Sequence, residues 1–140
     1  MHPVGQAQYT AAIVMIDPEK QIAYWRQGAE EDRTVARELL DRGHTRHGLF
    51  LCHLALEKAL KAHVCKKSRD LAPRIHNLVR LAEMAGLDLP GGYGDLLADM
   101  NAFNIEGRYP DLLVPPPSST ETQLYATRAE EVLQWLLSQL

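Results

Sequence analysis

Aromatic side chains are scarce in this sequence: nine of 140 residues, or 6%. Cysteine is scarcer still, with only Cys52 and Cys65. Thirteen residues apart on one predicted helix, they stand roughly 20 Å from each other, too far for an intramolecular disulfide. Reduced thiols in a cytoplasmic setting are the natural reading. No run approaches the roughly twenty apolar residues of a membrane span. The N-terminus shows no charged leader, and the apolar run from Ala11 to Ile16 is too short for a signal sequence. Charge of one sign is also lacking. Fifteen Lys and Arg against eighteen Asp and Glu leave a net charge of −3, which excludes a protein that coats nucleic acid over its whole surface. Several site patterns are absent as well: G-x-G-x-x-G, the P-loop, G-x-S-x-G and paired C-x-x-C.

What is present is enough for one self-sufficient domain. The chain is 46% hydrophobic, which argues against disorder. A chain this long buries roughly 70% of its unfolded surface and can fold without metal or disulfide. The charge is unevenly placed. Between Lys58 and Arg80, seven basic residues face a single acid, Asp70, so the remainder is strongly acidic.

Helical periodicity dominates. A first helix is expected from about Pro18 to Arg42, with Asp17 as N-cap, an apolar stripe of Ile22, Trp25, Ala29, Ala36 and Leu40, and Gly43 as its end. Asp32 falls inside that stripe, either paired with a basic neighbour or set in a polar pocket. A second helix, about Arg46 to Lys66, carries Leu49, Cys52, Leu56, Leu60 and Val64 on one face. Its other face mixes Phe50 and Leu54 with Glu57, Lys58 and Lys61. His53–Glu57 and Glu57–Lys61 are i,i+4 pairs, which a surface salt-bridge row would explain. A short helix is expected from Arg74 to Ala85, opened by His76 and closed by Gly86. Another follows from Asp95 to Glu106, with Leu96, Met100 and Phe103 inward and Gly107 as its breaker. The last opens on the capping box Ser118-x-x-Glu121. The expected fold is all-α: an up-and-down four-helix bundle with an additional short helix over residues 17–140, after an unassigned N-terminal arm of residues 1–16.

The six histidines include a crowded group, His44, His47 and His53, but without H-E-x-x-H spacing or a carboxylate companion no metal site and no cofactor is expected. Asn101, Asn104 and Arg108 share one polar face. Arg108 stands beside Tyr109 and Pro110, where an arginine either caps a helix end or reads a phosphate.

Four elements, in order, resemble the HEPN domain family. Ala29-Glu30-Glu31-Asp32 with Ala36-Arg37-Glu38-Leu39-Leu40 is similar to its first helix. His53-Leu54-Ala55-Leu56-Glu57-Lys58-Ala59-Leu60-Lys61-Ala62 resembles its second-helix signature. His76-Asn77-Leu78 matches an H-x-L element, and Asn101-x-x-Asn104-x-x-x-Arg108-Tyr109-Pro110-Asp111 the element before the last helix. The resemblance implies a homodimer. It also implies a partner of the MNT-type nucleotidyltransferase class, in a toxin–antitoxin-like pair, and a nucleotide or RNA ligand. On that reading Arg108, Tyr109, Lys58, Lys61 and His76 line a phosphate-binding cleft. Asp32 or Glu57 orients the cations, and His53, Asn101 and Asn104 stand nearby. Catalytic members of the family are metal-independent ribonucleases with an R-x4-6-H motif, in which Arg supports the phosphate and His handles a proton. Here Leu113, Val114 and Pro115 occupy the histidine's place after Arg108, so that catalysis is not expected. The alternatives are a ribonuclease using a non-standard histidine, His53 or His76, and a purely structural interaction partner.

Overall fold

A computed structural model describes residues 16–108 and 115–140, the side chains of 105–108 excepted. Five helices run in order: α1 (Pro18–Asp41), α2 (Thr45–Ser68), α3 (Leu78–Met84), α4 (Tyr93–Arg108) and α5 (Ser119–Ser138). No strand occurs among the described residues. The all-α bundle with one short helix is therefore the observed fold.

Local chemistry sets the ends. The Asp17 carboxylate accepts from the amides of Glu19 and Lys20, with Pro18 entering the first turn. Ser118 and Glu121 cap each other reciprocally. Gly43 and Gly86, at φ of 81° and 65°, take the left-handed turns that close α1 and α3. Two expectations fail. The short helix does not begin at Arg74; it begins at Leu78, and the cap is Asn77, whose side chain accepts from Arg80 N, not His76. Asn101 of α4 reinforces that start by accepting from Leu78 N at 2.9 Å. Nor does Gly107 break α4, which continues to Arg108.

α2 is the central helix and packs against each of the other four. Thirteen of its 24 residues are buried. Its Leu49, Leu56 and Leu60 meet Leu78 and Leu81 of α3, Leu96, Leu97 and Met100 of α4, and Val132 and Leu136 of α5 in one core. α1 lies antiparallel on α2 and buries only Ala29 and Ala36. The contact is close because both helices supply small residues. A Cβ on Gly48 would fall 2.5 Å from Leu40 Cδ2 and 3.3 Å from Leu40 N, and one on Gly28 would fall 3.0 Å from Lys58 Cδ. At the far end, Arg69 and Glu19 pair at 2.7 Å. Both cysteines are free thiols. No described helix is long and apolar enough to cross a membrane.

Candidate functional site

The face of α2 that looks like a surface salt-bridge row is inside the protein. His53, Glu57 and Lys61 are at most 5% exposed. They stack at i, i+4 and i+8, one above the next on the helix. A buried carboxylate is tolerated only if it is paired and hydrogen-bonded, and Glu57 is served on both oxygens. Lys61 Nζ donates to Oε2 at 3.1 Å. His76 donates from Nδ1 to Oε1 at 3.1 Å, since a carboxylate oxygen can only accept. His53 Nδ1 lies 3.9 Å from the same Oε1. On its outer side Lys61 sits against Trp25 of α1, with Nζ 5.1 Å from the ring centroid.

Directly after Glu57, Lys58 crosses the seam to α1. Its stem lies on Gly28, and Nζ reaches Asp32 Oδ2 at 2.8 Å. Asp32 therefore takes the paired-acid role, oriented against Lys58. Lys58 keeps 30% side-chain exposure, and His76 keeps 47%. These two side chains meet solvent at the edge of the row. Lys61, expected among the cleft-lining residues, is instead an internal cation. The reason is that α1 and the segment before α3 close over it. Asn101, a residue of the expected polar face, spends its side chain on the start of α3, accepting from Leu78 N and donating to Asn77 Oδ1 at 3.3 Å. Asn104 is half-buried on α4. The Arg108 backbone closes α4, but its side chain and the whole of Tyr109 lie outside the described residues.

The basic stretch from Lys58 to Arg80 is thus divided. Lys58, Lys61 and Arg69 have acidic partners, and Lys66 donates to the Gln139 carbonyl. Among the described residues Lys67, Arg74 and Arg80 make no ion pair. A shallow groove beside His76 is lined by Pro73, Ile75, Asn77, Arg80 and Met84.

A second opening went unnoticed in the sequence. Between α1, α2 and α5 lies a cavity of about 270 Å³ whose walls include Ala36, Leu40, Cys52, Ala55, Ala129 and Leu133. Arg33 grips Glu130 with two nitrogens across its mouth, and Arg37 joins at 3.3 Å. The signal was available as a set of alanines, Ala36, Ala55, Ala126 and Ala129, whose facing could not be read from one chain's periodicity. Burial, helped by the Glu130 charge, pushes the Cys52 thiol up to about 12, so this wall offers no ready nucleophile. Deeper in the α2–α5 seam, His63 is buried and its Nε2–H donates to the Leu136 carbonyl at 2.8 Å. Burial lowers its pKa; the carbonyl bond opposes that shift, and Lys66 adds to it. No group of three His, Cys, Asp or Glu among the described residues could hold a metal.

Comparison with known proteins identifies the bundle. It superposes on the crystal structure of TT1696 from Thermus thermophilus with a TM-score of 0.71 and 22% identity, over 86% of this chain and 98% of that one. It also superposes on ST0689, an archaeal HEPN homologue, with a TM-score of 0.66 and 20% identity, over 85% and 97%. At such identities the likeness speaks for the fold. Comparison with curated proteins gives no match. The family model for the HEPN domain matches residues 22–140, which takes in all of α2 through α5 and most of α1. This chain belongs to the HEPN domain family.

Proposed function

We propose that this HEPN domain is a binding module for the phosphates of a nucleotide or RNA, and not a ribonuclease of the R-x4-6-H kind. In this reading it acts as a homodimer beside an MNT-type nucleotidyltransferase, in a toxin–antitoxin-like pair. The observation that carries the phosphate reading is the α2 row: a buried Glu57–Lys61 pair backs His76, while Lys58 and His76 reach the surface at its edge. Donors held in place by a buried acid suit an anion. Arg108 and Tyr109 join them on the strength of the sequence motif, and Asp32 holds Lys58. Against catalysis stands the absence of any histidine after His76. His53, buried throughout, cannot touch an RNA hydroxyl.

The test is calorimetry with ATP and a short RNA. Saturable binding is expected, weakened on the order of tenfold by Arg108→Ala, with a nearly unchanged melt, or by Lys58→Ala, whose melt falls because Asp32 loses its partner. Equal binding by both variants would sink the reading. A purely structural partner would leave the titrations flat. The contact of Glu57 with His76 favours one second reading, a ribonuclease that uses His76 as its base. Metal-free incubation with mixed RNA decides it, and no cleavage above a His76→Ala control is the expected result.

A further inference from the structure

The groove beside His76 carries a more specific claim, which rests on the phosphate-binding reading above. We propose that it is a subsite for a terminal phosphate, a phosphomonoester dianion, and that filling it draws one proton onto His76.

The argument begins with charge. Glu57 and Lys61 already neutralise each other at 3.1 Å, almost out of water. His76 can donate from Nδ1 to Glu57 Oε1 as a neutral ring, so the resting cluster needs no further positive charge. That bond also fixes the ring. With Nδ1 turned to Glu57, the other nitrogen, Nε2, is the free end of a half-exposed side chain. A neutral Nε2 is an acceptor and cannot bind phosphate; a protonated Nε2–H can. An arriving anion therefore selects the imidazolium, with Glu57 stabilising the charge from behind.

The second charge comes from Arg80, which lines the same groove and makes no ion pair among the described residues. The groove's amides offer little. Leu78 N is taken by Asn101 and Arg80 N by Asn77, and the side chains of His76 and Arg80 supply the donors that can carry charge. Two cationic donors match the two charges of a monoester dianion better than the single charge of an internal diester. Among the described residues, the charged and titratable groups that face His76 are Glu57 from α2, with His53 and Lys61 on the same carboxylate, and Arg80 from α3 on the shared groove. From α4 the described Asn101 carries no charge. Glu57 is the acid among these described groups, and Lys61 already holds its second oxygen. Glu57 is thus a positioning residue acting through His76.

The experiment titrates the full chain with 5′-AMP and with the dinucleoside monophosphate ApA. Buffers of different ionisation enthalpy are used at pH 7.5, where AMP, with a second pKa of about 6, is already the dianion. Expected results are tighter binding of AMP than ApA, on the order of tenfold, and uptake approaching about one proton per site. AMP affinity should fall by up to about tenfold between pH 7.5 and 8.5. His76→Gln abolishes the uptake and the pH slope. Arg80→Gln weakens AMP binding but keeps the uptake. Glu57→Gln reduces the uptake; if that buried change prevents folding, the two surface variants carry the test. ATP or RNA binding with no proton uptake, uptake unchanged in His76→Gln, or equal affinity for AMP and ApA overturns the subsite while leaving the phosphate reading intact. No binding of AMP, ATP or RNA at any pH overturns that reading and the subsite with it.

Discussion

Along α1 as far as Asp32, the helix covers charge: Trp25 lies against Lys61, Gly28 against the Lys58 stem, and Asp32 on the Lys58 ammonium. Along its C-terminal half the same helix borders the alanine-walled cavity, with its charges, Arg33 and Arg37, drawn to Glu130 at the mouth. One helix with only two buried residues serves both purposes. The difference lies in what α2 and the third partner present. Where α2 offers Glu57 and Lys61, the segment before α3 supplies a histidine to complete them. Where it offers Cys52 and Ala55, α5 supplies Ala129 and Leu133, and the small side chains leave space. Buried charge demands a full set of partners; small apolar side chains do not.

The largest expected effect tests the polar half. Lys61→Met strands Glu57 and should cost about 3 kcal/mol in urea denaturation. The double change Lys61→Met with Glu57→Gln should recover most of it. A neutral Lys61→Met would mean that Glu57 is solvated and the row is not internal. On the apolar half, Cys52, raised from 9.0 to about 12, should react with a disulfide reagent at pH 8 on the order of fiftyfold more slowly than an ordinary thiol, its smaller thiolate fraction being partly offset by the greater nucleophilicity of a more basic thiolate. Reaction at the ordinary rate in native buffer would show the cavity wall open to water.

Gly48→Ala tests the seam that both halves share. The added methyl meets Leu40 near its backbone, so a loss of about 1–2 kcal/mol is expected despite the better helix former. A stabilised variant would place α1 farther from α2 than described. The smallest effect is a control outside both halves. His63 has a lowered pKa in the folded chain, so folding releases protons between its folded and unfolded values. Its stabilising contribution is whole above the unfolded value, near 6.5. It is lost as the pH falls through the folded one. Thermal melts from pH 7.5 to 4.5 should therefore decline more steeply in the wild type than in His63→Gln. Parallel curves would remove His63 from the account.

Much of this molecule is legible in one chain because much of it is local. The Asp17 cap, the Ser118–Glu121 box and the glycine turns at 43 and 86 depend on residues within four positions of each other. The Leu49–Leu56–Leu60 stripe likewise reads as a core face. The misreadings share a cause. Arg74 to Asn77 carries helical periodicity, but whether it coils depends on Asn101, 24 residues beyond Asn77, which takes Leu78 N as the first amide of α3. Glu57–Lys61 has the same spacing on a surface as in a core. Nothing within α2 says that Trp25 and His76 will arrive to cover it.

The sequence by itself determined the order of the helices, the caps at Asp17 and Ser118, the family and the residue types available for an anion site, since each follows from short-range hydrogen bonding or from a motif's order. Only the tertiary structure decided which cations remain for a ligand. Lys61 went inside and Arg69 went to Glu19, while Lys58, steered by Asp32, kept a solvent-facing edge and Arg80 was left beside His76 on one groove. The physical reason is that a charge's availability depends on the partners that other helices bring to it, and those partners lie from 19 to 50 residues away along the chain.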